Sequence, residues 1–346
     1  MSHKNRPSVS VEQLTEMQRY LGEETVEDYQ EGQITRRRMI GRLIAICGTG
    51  GAAALMTACG VAQAPPTVAP TAAPTAVPPT AVPTAAAAAT KPAAPAATQP
   101  PAATPAGGRG PLTVAANDPD VDGKMVTYKS DTEMIAYLAR PKKEGTYSAV
   151  LVIHENRGLQ EHVKDVARRL AKAGFIALAP DLVSRSGGSE KLGFDPIAGV
   201  LGAAKPEDLV KDLSAGIDYL LTVAGVKAGK VGVVGFCFGG GYTLRLAGAN
   251  PKVAAAVPYY GPVPTPPTLV ASTNAAILAH YGGTDTRVNA GIPDLEAAMK
   301  AAGKTYEKHL WEGAPHAFNN DTGANFNEAA AVGAWKETLA WFAKYL

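Results

Sequence analysis

Hydrophobic residues in the last two thirds of the chain form short continuous runs that alternate with segments of helical periodicity. The clearest runs lie at residues 149–154, 175–179 and 231–234. Runs of this length are typical of strands that are buried on both faces. Between them, apolar residues three or four positions apart predict amphipathic helices. Repeated strand–helix units indicate an α/β fold in which helices cover both faces of a mostly parallel central sheet.

The same alternation continues to the end of the chain. Strands are predicted at residues 253–259, 276–281 and 306–311, and helices at residues 160–173, 242–249, 293–302 and 327–346, with a further helix that begins near Pro206. Residues 112–138 alternate more strictly between apolar and polar side chains, and this pattern predicts edge strands. The pattern therefore predicts one α/β domain at residues 111–346.

Residues 60–110 contain almost nothing that a core could bury. Of the 27 prolines in the chain, 12 fall between Val61 and Gly110, and this window has no Leu, Ile, Met, Phe, Tyr or Trp. Such a segment cannot offset the entropy of ordering its own backbone. We predict a disordered Ala/Pro/Thr-rich linker that serves as an extended spacer, with a role as a proline-rich ligand as the alternative.

Residues 1–59 are predicted to be an N-terminal extension and export signal. Residues 1–33 are polar and acidic and have no evident place in a core. The sequence Thr-Arg-Arg-Arg-Met-Ile at residues 35–40, followed by a weakly hydrophobic stretch at residues 41–58, resembles a twin-arginine signal. An uncleaved membrane anchor is the alternative, although residues 41–58 barely reach across a bilayer core of about 30 Å.

The signal-like segment ends in Leu-Met-Thr-Ala-Cys-Gly at residues 55–60, which resembles a lipobox. This motif predicts lipidation of Cys59. We therefore expect the C-terminal domain to lie outside the cytoplasm, tethered to the membrane through its N-terminus.

Charge and cysteine content exclude other classes of function. The chain has 33 Lys and Arg residues against 31 Asp and Glu residues, a net charge of +2, so it lacks the basic surface that nucleic-acid binding needs. The three cysteines, at positions 47, 59 and 237, form no Cys-x-x-Cys motif. We therefore expect neither a structural zinc site nor a disulfide framework.

A glycine-rich segment, Gly-Phe-Cys-Phe-Gly-Gly at residues 235–240, follows a predicted buried strand and opens a helix. In a Gly-x-nucleophile-x-Gly turn, a Cβ two positions from the nucleophile would collide as the strand and helix close together. The helix N-terminus also stabilises negative charge on sulfur. Cys237 is therefore a candidate nucleophile, and the backbone N–H of Phe238 is a candidate oxyanion donor. The alternative is a buried structural cysteine.

Candidate partners for Cys237 follow it along the chain. Asp285 lies in a glycine-rich loop after the predicted strand 276–281, and His316 follows the last predicted strand. His316 would accept the thiol proton, and Asp285 would orient the imidazole. Of the other histidines, we expect His162 on an exposed helix face and His280 packed at a strand end.

Several segments in combination resemble dienelactone hydrolase (carboxymethylenebutenolidase). They lie at residues 152–158, 179–182, 235–240, 283–285 and 316–318. The resemblance implies an α/β-hydrolase fold and a catalytic triad of Cys237, His316 and Asp285. It also implies cleavage of an ester or lactone through a cysteinyl acyl-enzyme, with no metal and no organic cofactor.

The resemblance implies further site residues. Glu155 matches a glutamate that helps to deprotonate the thiol, and Asn156 matches a residue whose backbone N–H completes an oxyanion hole with that of Phe238. Arg185 resembles an arginine that binds the substrate carboxylate, for which a guanidinium is well suited. For Glu155 and Arg185 the alternative is a surface or interdomain ion pair.

Asn320 departs from the family pattern, which has a second carboxylate-binding arginine four residues after the histidine. A neutral amide removes that charge, so a preference for an anionic dienelactone does not carry over directly. We predict a monomeric catalytic domain that hydrolyses a small-molecule lactone or carboxylic ester. The alternatives are a broad carboxylesterase or thioesterase on neutral substrates and a tethered binding lipoprotein with a disused site.

Overall fold

One mixed sheet forms the centre of the protein. The computed structural model describes residues 10–61 and 110–346. Within these residues the sheet has eight strands. They are β1 (Val121–Lys129), β2 (Glu133–Pro141), β3 (Tyr147–Ile153), β4 (Phe175–Pro180), β5 (Val226–Phe236), β6 (Val253–Tyr259), β7 (Ala276–Gly282) and β8 (Tyr306–Trp311).

The strands are ordered β1-β2-β4-β3-β5-β6-β7-β8 across the sheet. β1 pairs antiparallel with β2, and β2 pairs antiparallel with β4, whereas the other neighbours are parallel. The mostly parallel sheet is therefore confirmed, and of the edge strands predicted from residues 112–138, β1 lies at the edge whereas β2 lies between β1 and β4. In such a sheet the carboxyl ends of the parallel strands share one edge, where α/β proteins place their ligand sites.

Helices connect and cover the strands. In the described part of the chain they are α1 (Glu16–Gln30), α2 (Arg36–Ala58), α3 (Glu161–Lys172), α4 (Ser189–Leu192), α5 (Phe194–Ala203), α6 (Pro206–Leu220), α7 (Phe238–Ala249), α8 (Thr268–Ala271), α9 (Thr286–Asn289), α10 (Ile292–Ala301) and α11 (Glu328–Tyr345). Every residue of β4 and β7 is buried. Because successive side chains of a strand point to opposite faces, this burial requires cover on both faces of the sheet.

Part of the N-terminal segment is buried, contrary to the prediction from the sequence. Residues 1–33 were expected to have no place in a core, yet Met17 and Leu21 of α1 belong to the main hydrophobic core. α1 packs against α2 and contacts α5. The prediction was wrong because a few apolar residues recur at helical spacing among the acidic ones, and the domain supplies the surface that buries them.

Two other predictions concern this part of the chain. The predicted linker at residues 60–110 lies outside the described residues, apart from residues 60, 61 and 110. Among the described helices, α2 is the one long and apolar enough to cross a membrane, and 39% of its apolar window is buried against the rest of the protein. A signal sequence near an N-terminus and a core helix both meet this criterion.

The turn between β5 and α7 permits no side chain at Gly239, because a Cβ there would overlap the carbonyl oxygen of Ile153. We predict that Gly239→Ala lowers the free energy of unfolding by about 3 kcal/mol, since backbone atoms must move apart. Gly41→Ala is the control, because a Cβ at Gly41 meets nothing within 4 Å and alanine favours a helix by about 1 kcal/mol. Urea unfolding of both variants measures the difference; similar stability for the two would contradict the prediction.

Candidate active site

Cys237 lies in the sharp turn between β5 and α7. Its backbone has φ 54° and ψ −120°, a conformation that residues with side chains rarely adopt. A Cβ at Gly235 would overlap the carbonyl oxygen of Gly239, and one at Gly240 would lie 2.6 Å from the carbonyl oxygen of Tyr259. The strand and helix therefore meet backbone to backbone, and this close approach fixes the thiol at the carboxyl edge of the sheet.

Asp285 and His316 reach the same edge from neighbouring strands. Asp285 follows β7 and His316 follows β8, and the two are joined by a hydrogen bond of 2.5 Å between Asp285 Oδ2 and His316 Nδ1. The other carboxylate oxygen of Asp285 accepts the backbone N–H of Val288 at 3.1 Å. A ring nitrogen of His316 lies within 4.8 Å of Cys237 Sγ. The structure thus brings together the three residues that the sequence proposed as base, acid and nucleophile.

The pair of His316 and Asp285 favours a charged imidazole. Burial lowers the pKa of His316, but the hydrogen bond to Asp285 and the charges of Asp285 and Glu24 outweigh it, so the net pKa is raised. For Asp285, burial raises the pKa, yet the hydrogen bond from His316 and its charge lower it overall. Asp285 therefore remains an anion and stabilises positive charge on the imidazole.

The surroundings of the Cys237 thiol disfavour its charged form, the thiolate. Burial raises its pKa well above the ordinary value, and the nearby charges of Glu24 and Glu155 raise it further. Free thiols are weak nucleophiles until they are deprotonated. In this arrangement the thiol needs a base to accept its proton as it reacts.

Glu155 follows β3 and lies in the same cluster, where two side chains that the sequence did not assign hold its carboxylate. Asn320 Nδ2 donates to Glu155 Oε2 at 2.9 Å, and the hydroxyl of Tyr260 donates to Glu155 Oε1 at 3.4 Å. Asn320 therefore contacts Glu155, at the position where the family pattern has an arginine. No motif in the sequence indicates a role for Tyr260, because its contact with Glu155 depends on where β6 ends.

The two proposed oxyanion donors are Phe238, which follows Cys237 in the chain, and Asn156, which lines the same cavity. Phe238 is the first residue of α7, so its N–H is at the helix N-terminus directly after Cys237. Asn156 lines the same cavity as Cys237 and His316. Helix N-terminal amides stabilise negative charge, as an oxyanion hole requires.

Arg185 is not brought to the site. Its guanidinium makes a bidentate ion pair with the buried carboxylate of Asp212, with distances of 2.8 and 2.7 Å, and it also lies 3.6 Å from Asp131. The ion pair weighed as the alternative for Arg185 is therefore what the structure contains. A buried anion needs a partner, and α6 supplies Asp212 within reach of Arg185.

The two remaining histidine expectations have different outcomes. His280 is fully buried at the end of β7, as predicted. His162 was expected on an exposed helix face, but it is buried, with Nδ1 3.2 Å from Asp321 Oδ1. The prediction was wrong because the loop after β8 folds back over α3 and covers it.

Helix α1 supplies residues to the site that were not predicted from the sequence. The thiol of Cys237 donates a hydrogen bond to Glu24 Oε1 at 3.1 Å, and Tyr20 Oη lies 3.4 Å from the same sulfur. Glu24 Oε1 is also 3.9 Å from His316 Nε2. An acidic side chain at an apolar helix face was a possible signal, but nothing in the sequence indicates which surface α1 contacts.

A sharp turn between a parallel strand and a helix, with an aspartate and a histidine after later strands, is the arrangement of the α/β-hydrolase fold. The family model for "Dienelactone hydrolase family" matches residues 134–346. A protein of Methylorubrum extorquens named "Putative carboxymethylenebutenolidase" is 32% identical over 247 residues, which cover 67% of this chain and 85% of that protein.

Two further proteins agree with this match. A Bradyrhizobium protein named "Probable 2-oxo-3-(5-oxofuran-2-ylidene)propanoate lactonase" is 34% identical over 61% of this chain and 90% of its own length. A crystal structure of a "Putative Dienelactone Hydrolase" from Klebsiella pneumoniae superposes with a TM-score of 0.61 at 31% identity, covering 65% of this chain and 99% of that one. The chain belongs to the dienelactone hydrolase family, and it is a hydrolase that acts on ester or lactone bonds.

We predict that His316 keeps its proton to a pH above 6.5, the ordinary value for histidine, because its pKa is raised in the folded protein. Asp285→Asn should lower the pKa of His316, since the amide carries no negative charge. An NMR titration of the imidazole resonances measures both values. His280 is the internal control, because burial lowers its pKa to about 3 and it stays neutral through this range. An unchanged pKa of His316 in Asp285→Asn would contradict the coupling.

Proposed function

We propose that the chain hydrolyses a small carboxylic ester or lactone through an acyl-enzyme on Cys237, with His316 as general base and Asp285 as the group that orients it. The observation that carries this proposal is the arrangement of the three side chains at one edge of the sheet. The 2.5 Å hydrogen bond between Asp285 and Nδ1 of His316 fixes the imidazole and leaves Nε2 as the nitrogen that would accept the thiol proton.

The reaction proceeds in two acyl-transfer steps. In the first, the sulfur attacks the ester carbonyl as its proton passes to His316, and the N–H groups of Asn156 and Phe238 stabilise the oxyanion. The carbon–oxygen bond then breaks, and the leaving oxygen takes the proton from His316. In the second, His316 removes a proton from water, the hydroxide oxygen bonds to the acyl carbon, and the sulfur leaves with that proton.

Glu155 has a supporting role in this proposal. Its carboxylate is held by Asn320 and Tyr260 near the thiol, where its charge disfavours a resting thiolate. A thiol kept protonated until substrate arrives is protected from oxidation, and Glu155 is then available to help accept its proton. No step requires a metal or an organic cofactor.

The substrate class depends on charge near the scissile carbonyl. Asn320 holds Glu155 and adds no positive charge, and Arg185 pairs with Asp212. These contacts favour the second candidate, a broad carboxylesterase or thioesterase on neutral substrates, over a strict preference for an anionic lactone. The ratio of kcat/KM for an anionic dienelactone to that for its uncharged ester analogue distinguishes the two.

We expect Cys237→Ala to lower kcat/KM for p-nitrophenyl acetate at least about a hundredfold, because the acyl-enzyme can no longer form. Cys47→Ala is the matched control, since Cys47 lies in α2 and donates its hydrogen bond to Leu43. Its activity should stay within about twofold of the parent chain. Undiminished turnover by Cys237→Ala would remove Cys237 from the mechanism.

Location is a separate part of the proposal. We propose that the twin-arginine-type signal exports the folded domain and that Cys59 is then lipidated, which tethers a monomeric catalytic domain to the outer face of the membrane. The apolar length of α2 and its place near the N-terminus support this assignment.

Replacing both Arg36 and Arg37 with lysine should leave the protein in the cytoplasm, because a twin-arginine pathway reads the guanidinium pair. Arg19→Lys is the control and should be exported like the parent. Cell fractionation and labelling with a radioactive fatty acid measure export and lipidation together. Equal export of the lysine pair, or equal labelling after Cys59→Ser, would contradict the respective assignment.

A further inference from the structure

Helix α1 lies directly over the thiol that we propose as the nucleophile. Glu24 accepts a hydrogen bond from the thiol of Cys237, and the hydroxyl oxygen of Tyr20 lies 3.4 Å from the same sulfur atom. The carboxylate of Glu24 also faces the outer nitrogen of His316 at 3.9 Å. A carbonyl carbon under attack would have to occupy the space that these two α1 side chains fill.

The remaining space beside Cys237 is too small for an ester. The cavity there has a volume of about 40 Å³, and both α1 and the domain line it. Sites for small organic molecules usually measure roughly 300 Å³ or more, whereas about 40 Å³ holds no more than a few waters. Cys237 is correspondingly buried, with 2% of its surface exposed.

Opposite charges join α1 to the rest of the domain. Acidic residues along one side of the helix pair with arginines from three different elements of the domain. The pairs are Glu16 with Arg245 at 2.7 Å, Glu27 with Arg287 at 3.0 Å, and Asp28 with Arg157 at 3.7 Å. The guanidinium of Arg287 also lies 4.8 Å from the centre of the Tyr20 ring. The positive charge of these arginines on the domain surface therefore complements the negative charge of an acidic helix.

Apolar packing supports the same position. Leu21 is fully buried, and its side chain approaches the backbone of Gly202 in α5 so closely that a Cβ there would lie 3.4 Å away. Met17 is buried in the same core. Burying a leucine side chain stabilises a contact by about 2 kcal/mol, so Leu21 is a main anchor of α1 on the domain.

We propose that the surface around the active site is a docking surface for an acidic amphipathic helix, that α1 of this chain is its occupant, and that the docked helix keeps Cys237 latent. Glu24 and Tyr20 fill the place of the acyl group, so substrate binds only when α1 has left. The proposal rests on the proposed function for its effect on turnover. Its effect on access to the thiol depends on the contacts of α1 alone.

Docking also lowers the reactivity of the thiol. The carboxylate of Glu24 accepts a hydrogen bond from the thiol and places a negative charge beside the sulfur, so formation of the thiolate is disfavoured. When α1 leaves, both the steric block and this charge are removed together. A cut before Cys59 during lipoprotein maturation would separate α1 and α2 from the catalytic domain, which links latency to the export proposal.

The first experiment uses Leu21→Asp in the full chain, because a charge against α5 should release α1 without altering any residue of the catalytic machinery. We expect the rate of Cys237 alkylation by iodoacetamide, followed by peptide mass spectrometry, to rise roughly tenfold or more as the docked population falls. Hydrolysis of p-nitrophenyl acetate should rise by a similar factor. Ile44→Asp is the matched control, since Ile44 is on the exposed face of α2, and both rates should remain unchanged.

If Leu21→Asp fails to fold, a charge swap between Glu16 and Arg245 tests the docking of α1 instead. Glu16→Arg places two arginines together at the edge of α1 and should raise the alkylation rate by roughly fivefold, as expected for a surface pair turned repulsive. Adding Arg245→Glu restores the attraction in the reversed sense, and the double variant should return towards the parent rate. A change in general stability would not be reversed by the second substitution.

The two readouts separate this inference from the proposed function. A folded Leu21→Asp chain, or a Glu16→Arg chain, whose Cys237 is alkylated at the parent rate would overturn the docking proposal. Faster alkylation without faster hydrolysis would uphold docking and place the error in the assignment of Cys237 as nucleophile. Restored latency in the charge-swapped double variant supports docking through the Glu16–Arg245 pair.

Discussion

The contact between the backbones of β5 and α7 is the constraint on which the site depends. A Cβ at Gly235 would overlap the backbone of Gly239, and one at Gly239 would overlap the backbone of Ile153 at the end of β3, so the helix approaches both strands more closely than side chains would permit. This approach holds Cys237 at positive φ and directs its thiol towards the loops after β7 and β8. Asp285 and His316 then need only the ordinary geometry of parallel strands to reach it, because those strands end at one edge.

Much of the domain could be predicted because its signals are local. The strands at residues 253–259 and 306–311 coincide with β6 and β8, and the helix predicted from Pro206 is α6. Buried parallel strands are continuous apolar runs, so their positions do not depend on distant contacts. Cys237, Asp285 and His316 were identified for a similar reason, since each follows a predictable strand at its carboxyl end.

The remaining features depend on contacts between residues far apart in the sequence. Nothing near Arg185 indicates that Asp212, 27 residues later, would take its guanidinium. The burial of α1 depends on a surface of α5 more than 150 residues away, and its acidic residues hide the apolar positions that anchor it. Asn320 illustrates the same limit, because its change from the family pattern predicts a lost charge but not the hydrogen bond to Glu155.

Two electrostatic effects oppose each other at the site: one favours loss of the thiol proton of Cys237, and the other keeps that thiol protonated. In the proposed mechanism the thiol proton passes to His316, whose raised pKa suits it to hold that proton. The carboxylates of Glu155 and Glu24 oppose a thiolate. In the latent state that we propose, with α1 docked, the effect of the carboxylates prevails and the thiol stays protonated. When α1 leaves and takes Glu24 with it, Glu155 remains as an acidic neighbour of the Cys237 thiol.

The most direct measurement of the central claim is the mass of the covalent intermediate. The Leu21→Asp chain, in which we expect α1 to leave the site, is mixed with an activated ester, quenched in acid after a few milliseconds, digested with pepsin and analysed by mass spectrometry. We predict an acyl group on the peptide that contains Cys237, labile to hydroxylamine as a thioester is. An acyl group on another residue, with Cys237 unmodified while product forms, would contradict it.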